Sequence, residues 1–207
     1  GSSKIAAYHR KALDMPQVQF NNIDNAQKVR DGVNNLVEVA DGEVKIELGV
    51  PSEAAGQAAF TALERAVADL KDGLIDVLVT APINKNNIQS DNFHFPGHTE
   101  YLEAALGYGK KSLMILFNDF IKVALVTTHL PVSKISEAIS KDVILEKIKI
   151  FNNSLKRDFG IERPRIAVLA LNPHSGDNGL LGSEEKEIIT PAIEEAYAQK
   201  ITCFGPY

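Results

Sequence analysis

The sequence lacks the features that mark several large classes of protein. It contains one cysteine in 207 residues, so an intrachain disulfide framework is excluded. No apolar run approaches the length that spans a bilayer, and no basic stretch followed by an apolar one opens the chain. Lysine and arginine total 22 against 27 acidic residues, a net charge of −5, and they form no basic cluster of the kind that binds nucleic acid. These absences predict a globular cytoplasmic protein with neither a membrane nor a nucleic-acid partner.

Motifs for nucleotides and for covalent catalysis are also missing. No GxGxxG follows a strand-like run, GYGKKS at 107–112 lacks the spacing of a GxxxxGK[ST] phosphate loop, and there is no GxSxG nucleophile elbow. Cys203 lies among apolar residues without a histidine nearby, which favours a buried structural thiol over a nucleophile. A Rossmann dinucleotide site is therefore not supported.

Helix-like and strand-like patterns alternate along the chain. The predicted helices cover the start of the chain and the ranges 51–73, 98–107, 140–160 and 183–200. The predicted strands cover 75–80, 112–117, 122–128 and 165–171, with a short strand-like run at ITCFGPY. This alternation predicts a three-layer α/β/α fold with a mixed, largely parallel sheet, in which the short NDFI connection makes 112–117 and 122–128 a hairpin.

Local signals mark the ends of two of these helices. Ser52 is a predicted N-cap and Gly73 a predicted residue after the C-cap. Ser183 is a predicted N-cap that precedes acidic residues at 184–185, where negative charge favours the helix dipole. Pro191 lies inside this last pattern and predicts a kink or a break.

Histidines follow two of the predicted strands. VALVTT leads into His129 and RIAVLAL leads into His174, each beside a proline. Ligands of open α/β sheets bind beyond the carboxyl ends of the strands, and neutral imidazole is a good ligand for zinc and similar ions. The two histidines could form part of one metal site, although a hydrogen-bonded loop histidine is an equal alternative for the pair and the better one for either alone.

An anion site is the second possibility. Gly97, His98 and Thr99 lead directly into a predicted helix, whose N-terminus offers free N–H groups and the positive end of the dipole. The alternative is that Thr99 only caps the helix. Lys85, in APINKNN, lies beyond a strand end and could face an anionic ligand, with a solvated loop lysine as an equal alternative.

Four segments, TAPINKNNI, FPGHTEYL, VTTHLP and LNPHSGDNGLLGSEE, resemble in this order the 4-hydroxythreonine-4-phosphate dehydrogenase family of vitamin B6 biosynthesis. The resemblance covers essentially the whole chain. It implies an isocitrate/isopropylmalate dehydrogenase-like fold and a homodimer with its active site at the subunit interface. It also implies oxidation of 4-phosphohydroxy-L-threonine with NAD or NADP and a divalent metal (Zn, Mg or Co), followed by decarboxylation to 3-amino-2-oxopropyl phosphate.

The resemblance also assigns roles to residues of this chain. His129 and His174 correspond to metal-ligating histidines of the family, and His98 and Thr99 to substrate contacts. Asp177 stands where the family usually has glutamate, which keeps a carboxylate there, and Ser175 stands where it usually has alanine. Lys85 and Asp177 are weaker ligand candidates.

The family pattern extends beyond both ends of this chain. The resemblance implies a preceding strand with a GDPxGIGPE-like loop, and after Tyr207 a third metal-binding histidine and most of the NAD site. Residues 1–207 are thus expected to be part of one two-lobed α/β enzyme, and to be incomplete as a catalyst. Two alternatives remain open: a dehydrogenase of a related four-carbon phosphorylated acid, such as phosphothreonate or phosphoerythronate, and a non-catalytic metal- or phosphate-binding fragment.

Overall fold

The structure is a computed structural model that describes residues 1–39 and 47–207. The chain divides into two compact units, Gly1–Ser112 and Leu113–Tyr207. Within the described ranges, no helix is both long enough and apolar enough to cross a membrane.

The first unit packs two of its helices around aromatic side chains. Its elements are α1 (Ser3–Ala12), β1 (Asn21–Ile23), β2 (Asn35–Val37), α2 (Glu53–Lys71) and α3 (His98–Leu106). Strands β1 and β2 pair in parallel. The core joins α2 to α3 and to the segment between them through Phe60, Leu63, Val67, Ile88, Phe93 and Tyr101. The rings of Phe60, Phe93 and Tyr101 meet at centroid distances of 5.3 to 6.1 Å, within the range of favourable aromatic pairs.

The residues predicted to begin and end α2 are confirmed. The side chain of Ser52 accepts a hydrogen bond from the N–H of Ala55 at 3.2 Å, which satisfies one of the free donors of the first turn. At the other end, Gly73 has a φ of +70°, the left-handed conformation that glycine adopts without steric cost after a helix.

The prediction of a buried strand over 75–80 is wrong. These residues form no ladder with any part of the chain that the structure describes. Only one side of the segment is packed, because Leu78 contacts the first unit's core whereas Val77 and Val79 are 72% and 87% exposed. A β-strand needs a hydrogen-bonded neighbour, which apolar, β-branched composition alone does not supply.

The second unit contains a hairpin, a parallel pair of strands and two packed helices. Its elements are β3 (Ile115–Phe117), β4 (Lys122–Ala124), α4 (Ile135–Ala138), α5 (Lys141–Arg157), β5 (Ile166–Ala167), α6 (Thr190–Ala198) and β6 (Cys203–Phe204). The predicted hairpin is confirmed, since β3 and β4 pair antiparallel with Ile115 opposite Ala124. Strands β5 and β6 pair in parallel. The chain has an α/β fold with both kinds of ladder.

The ladders are shorter than the predicted strands, but pairing continues beyond them. The N–H of Leu125 donates to the carbonyl of Met114 at 3.0 Å, past the end of β4. Beyond β5, the N–H of Ala170 donates to the carbonyl of Tyr207 at 2.7 Å. Hydrogen-bonded pairing therefore extends one residue past β4 and three residues past β5, towards the loops that carry His129 and His174.

One core holds the second unit together. Helix α5 contributes the predicted apolar stripe Ile144, Ile148, Phe151 and Leu155, and α6 contributes Ala192, Ile193 and Ala196. Ala124, Val126, Ile166 and Val168 pack on the same cluster. Each fully buried large apolar side chain contributes about 1.5–3 kcal/mol. Cys203 is 4% exposed in this core, where burial raises the pKa of its thiol, so the prediction of a buried thiol is confirmed.

The helical segment within 183–200 changes its hydrogen bonding before Pro191 but does not break there, since Ile189 and Thr190 both have right-handed helical φ and ψ. Residues Glu185–Ile189 form a π-helical turn, and α6 begins only at Thr190. Proline has no N–H and crowds the preceding turn of an α-helix, whereas a wider π turn relieves that contact. The N–H of Glu187 donates to the carbonyl of Ser183 at 2.8 Å, which places Ser183 at the start of the helical segment.

Candidate functional site

The predicted anion site lies at the start of α3. The helix begins at His98, and its N-cap is the buried Gly97, so Thr99 is the second helical residue and not the cap. His98 and Thr99 are both half-buried. The first-turn N–H groups of an α-helix have no acceptor within the helix and carry the positive end of its dipole. This position therefore favours an anionic group, and the imidazole and the hydroxyl can donate further hydrogen bonds.

Lys85 lies beside this helix end. A Cβ placed on Gly97 would be 3.6 Å from the Cε of Lys85 and 3.9 Å from its Nζ, with Oε2 of the first-turn Glu100 at 3.8 Å. The first unit thus brings together Lys85, His98 and Thr99, which the sequence suggested separately. An ammonium group next to a helix N-terminus is a favourable setting for a phosphate or carboxylate.

Local hydrogen bonds hold the loop of Lys85 in place. The side-chain oxygen of Asn84 accepts from the N–H groups of Asn86 and Asn87 at 3.0 and 3.2 Å, an Asx-type turn. The amide of Asn87 donates to the carbonyl of Ser52 at 2.9 Å, and that of Gln89 donates to the carbonyl of Lys85 at 3.0 Å. The run of asparagines is typical of a turn, but the hydrogen bond that joins this turn to the start of α2 could not be predicted from the sequence.

The metal candidates lie in the second unit, each in a loop after a strand. His129 follows β4 and is exposed, with a left-handed φ of 56°. His174 follows β5 and is also exposed, with a φ of 52°. Left-handed backbone is uncommon outside glycine, although asparagine, aspartate and histidine adopt it several times more often than other residues, and strained backbone concentrates at functional sites. Both histidines thus share an unusual conformation that the sequence did not indicate.

The loop of His174 contains a left-handed turn. All five residues from 174 to 178 have φ between 42° and 78°, and Asp177, at 42°, is exposed within it. Such a conformation costs about 1–2 kcal/mol for each residue other than glycine, so other contacts must hold it. Two backbone hydrogen bonds close the turn, from the N–H of Leu180 to the carbonyl of Asp177 at 3.2 Å and from that of Leu181 to the carbonyl of Gly176 at 3.0 Å.

A buried carboxylate holds the residues just before this turn. Glu185 is 4% exposed, and its Oε1 accepts from the N–H of Leu171 at 2.8 Å and from that of Asn172 at 2.6 Å. Its Oε2 accepts from the side-chain amide of Asn172 at 3.0 Å. Burial alone would raise the pKa of Glu185, but the hydrogen bonds from Asn172 and Leu171 outweigh it, so the pKa is lowered and the group is ionised at neutral pH.

Two glycines let the loop close around this carboxylate. A Cβ on Gly176 would lie 2.8 Å from the Oε2 of Glu185, and one on Gly182 would lie 2.5 Å from the side-chain amide of Asn172. The same amide donates to Glu184 at 2.7 Å. The sequence identified Glu184 and Glu185 as helix-dipole residues and missed that they brace the preceding loop.

The imidazole nitrogens of His129 and His174 suit a transition-metal ion, but they are fewer than the ligands that a metal site needs. Two imidazoles at strand ends are appropriate ligands for zinc or cobalt. Across residues 1–39 and 47–207, no three histidine, cysteine, aspartate or glutamate side chains are close enough to hold an ion together. The candidates that are present supply two nitrogen ligands, and a catalytic zinc site has about three protein ligands.

Comparison with known proteins gives a consistent result. The family model for the pyridoxal phosphate biosynthetic protein PdxA matches residues 1–207. The 4-hydroxythreonine-4-phosphate dehydrogenase of Bacteroides thetaiotaomicron is 56% identical over 207 residues, which is 100% of this chain and 57% of that protein. The chain thus spans little more than half the length of this relative.

Solved structures show the same fold. The crystal structure of 4-hydroxythreonine-4-phosphate dehydrogenase from Klebsiella pneumoniae superposes with a TM-score of 0.87 at 28% identity, over 100% of this chain and 62% of that one. The enzyme of the same name from Burkholderia phymatum gives 0.84 at 31% identity, over 100% and 62%. The predicted resemblance is therefore confirmed at the level of both sequence and fold.

Proposed function

The chain belongs to the PdxA family of pyridoxal phosphate biosynthetic proteins, and on this premise we propose that the complete protein oxidises 4-phosphohydroxy-L-threonine. The reaction uses NAD or NADP and a divalent metal, and decarboxylation of the oxidised product gives 3-amino-2-oxopropyl phosphate. The structural observation that best supports a phosphorylated substrate is the position of Lys85 beside the N-terminus of α3.

Substrate binding is assigned to the first unit. The N–H groups of the first turn of α3, with the side chains of His98 and Thr99, hold an anionic group of the substrate by hydrogen bonds. Lys85 adds an opposite charge at the same helix end. Binding by fixed backbone donors orients the substrate, which lowers the entropic part of the barrier.

Metal binding is assigned to His129 and His174. Their neutral imidazoles would hold the cation, whose bound state supplies Lewis-acid polarisation of the substrate hydroxyl, while the nicotinamide supplies the acceptor for hydride. Each histidine projects from a loop that follows a strand, and the loop of His174 is braced by Glu185. Asp177 lies in the same left-handed turn and is a further polar candidate.

A third protein ligand is needed beyond those that residues 1–39 and 47–207 supply. We therefore expect the 207 residues alone to show little or no turnover. A homodimer with the active site at the subunit interface and a cytoplasmic location are included on the strength of the family resemblance only.

A substrate panel tests the proposal. Purified complete protein is supplied with NAD or NADP, a divalent metal and one of three substrates: 4-phosphohydroxy-L-threonine, phosphothreonate or phosphoerythronate. We expect the highest kcat/KM on the first. Preference for another acid would transfer the assignment to a related dehydrogenase, and absence of turnover with measurable binding of metal or phosphate would favour a non-catalytic protein.

A further inference from the structure

Glu185 is more deeply buried than an acidic residue that only interacts with a helix dipole. Acidic residues at helix N-termini are normally exposed and gain a few tenths of a kcal/mol to about 1 kcal/mol from the dipole. This carboxylate is instead 4% exposed, and its hydrogen-bond partners lie 13 and 14 residues earlier in the chain. Burial of a charged group is costly unless hydrogen bonds compensate it, so the contacts at Leu171 and Asn172 are what retain the charge.

These contacts act on the segment that carries His174. Asn172 is two residues before His174, and both its backbone N–H and its side-chain amide donate to Glu185. On the other side of His174, Gly176 lies against the same carboxylate, where a Cβ would be 2.8 Å from Oε2. His174 thus lies between a residue that donates hydrogen bonds to this carboxylate and a glycine that packs against it.

The backbone strain explains why such a brace is needed. His174 and Ser175, like Asp177 and Asn178, have left-handed φ angles that a free loop would leave. A loop that relaxed to ordinary backbone angles would change the direction of the imidazole, and ligand geometry decides metal affinity.

We propose that Glu185 is the positioning residue of the metal site: its carboxylate holds residues 171–176 in the conformation that presents His174. This inference rests on the proposed function, because it concerns the same metal ligand. Glu185 acts through the loop and does not itself bind the ion.

Three variants of the complete protein test the role of Glu185. Glu185→Ala leaves the N–H groups of Leu171 and Asn172 without their acceptor. Glu185→Gln keeps an oxygen for them but places an NH2 group against the side-chain amide of Asn172, so it is a conservative, partial rescue. Glu185→Asp keeps the charge but is one methylene too short, and it replaces the alanine variant should that protein not fold. Glu187→Ala is the matched control, since Glu187 is an exposed carboxylate on the same π turn.

Two readouts are measured, neither of which is activity. Calorimetric titration with Co²⁺ is expected to show affinity lowered about tenfold to a hundredfold in Glu185→Ala or Glu185→Asp, as is typical for loss of a group that orients a metal ligand. Glu185→Gln is expected to recover part of this loss, and Glu187→Ala to bind normally. Hydrogen–deuterium exchange of the metal-free protein is expected to be faster within 171–182 in the alanine and aspartate variants only.

His174→Ala, measured in parallel, separates the two claims. If His174→Ala weakens Co²⁺ binding and the alanine and aspartate variants of Glu185 do not, the positioning role is refuted and the proposed function stands. If His174→Ala leaves Co²⁺ affinity unchanged, His174 is not a metal ligand, and its part of the proposed function is refuted together with the positioning role. Unchanged exchange of 171–182 in the Glu185 variants would by itself overturn the inference.

Discussion

The carbonyl oxygen of Asn87 lies directly against the Cα of Gly56, so that a Cβ built on Gly56 would be only 1.8 Å from it. This contact is between two backbone segments, and it packs the loop of Lys85 directly against helix α2. Together with the hydrogen bond from Asn87 to Ser52, it fixes the loop that brings Lys85 to the N-terminus of α3.

Gly56→Ala is therefore predicted to destabilise the protein, although alanine is the better helix former by about 1 kcal/mol. The added methyl group forces the loop away from α2, with a net cost of about 1–3 kcal/mol, as is typical of overpacking. Urea unfolding measures this difference. Ala68→Gly, at an exposed position of the same helix, is the control and is expected to cost about 1 kcal/mol. A more stable Gly56→Ala protein would contradict the contact.

A pH-dependent prediction concerns Glu103 in α3. The hydroxyl and the N–H of Ser112 donate to its carboxylate at 2.5 and 2.9 Å and, with Lys111, lower its pKa from 4.5 to about 2. Because the folded-state pKa lies below the ordinary value, the stabilisation is fully present above pH 4.5 and is lost as the pH falls towards 2.

Ser112→Ala should therefore lower the free energy of unfolding by about 1 kcal/mol at neutral pH, with a difference that shrinks below pH 4.5. Denaturant unfolding at a series of pH values tests this. Lys111→Ala removes only an exposed ion pair and should cost under about 0.5 kcal/mol. A Ser112→Ala difference that stays constant with pH would rule out the assigned role of the hydroxyl.

Lys85→Ala is predicted to weaken binding of the phosphorylated substrate. Loss of a hydrogen bond to a charged group costs about 1.5–3 kcal/mol, so KM should rise about tenfold to a hundredfold with a smaller change in kcat. Steady-state kinetics of the complete protein provide the measurement. Lys110→Ala, an exposed lysine of the loop after α3, is the control. Equal KM values for the two variants would remove Lys85 from the anion site.

His129→Ala and His174→Ala are each predicted to lower the affinity of the complete protein for its divalent metal and to abolish metal-dependent turnover. The physical reason is that each removes a protein nitrogen ligand from a site that has about three. Equilibrium dialysis with Zn²⁺ measures the affinity. His94→Ala, at an exposed histidine of the loop before α3, is the control. Unchanged affinity in both variants would eliminate the proposed site.

Local signals in the sequence were sufficient for much of the fold. The cap at Ser52 and the hairpin of β3 and β4 each depend on neighbouring residues, and both are confirmed. At Pro191 the helix widens into a π turn and does not break. The strand at 75–80 was predicted wrongly because pairing depends on a partner strand that composition does not reveal.

The candidate site, too, could be predicted from the sequence only in part. His129 and His174 could be proposed from their positions after predicted strands. The brace from Glu185 joins residues 13 and 14 positions apart, and the approach of Lys85 to Gly97 joins residues 12 positions apart. Such contacts follow from the packing of the folded chain, which periodicity and spacing do not encode.

The most direct test of the proposed function is the stoichiometry of the reaction. Complete protein is incubated with 4-phosphohydroxy-L-threonine, NAD or NADP and a divalent metal, and the reduced cofactor and carbon dioxide are measured together, with a chelator-treated sample and His174→Ala alongside. The account predicts equal amounts of both products from the untreated protein, and neither from the two controls. Absence of both products with the untreated protein, or undiminished formation in the chelator-treated sample, would contradict it.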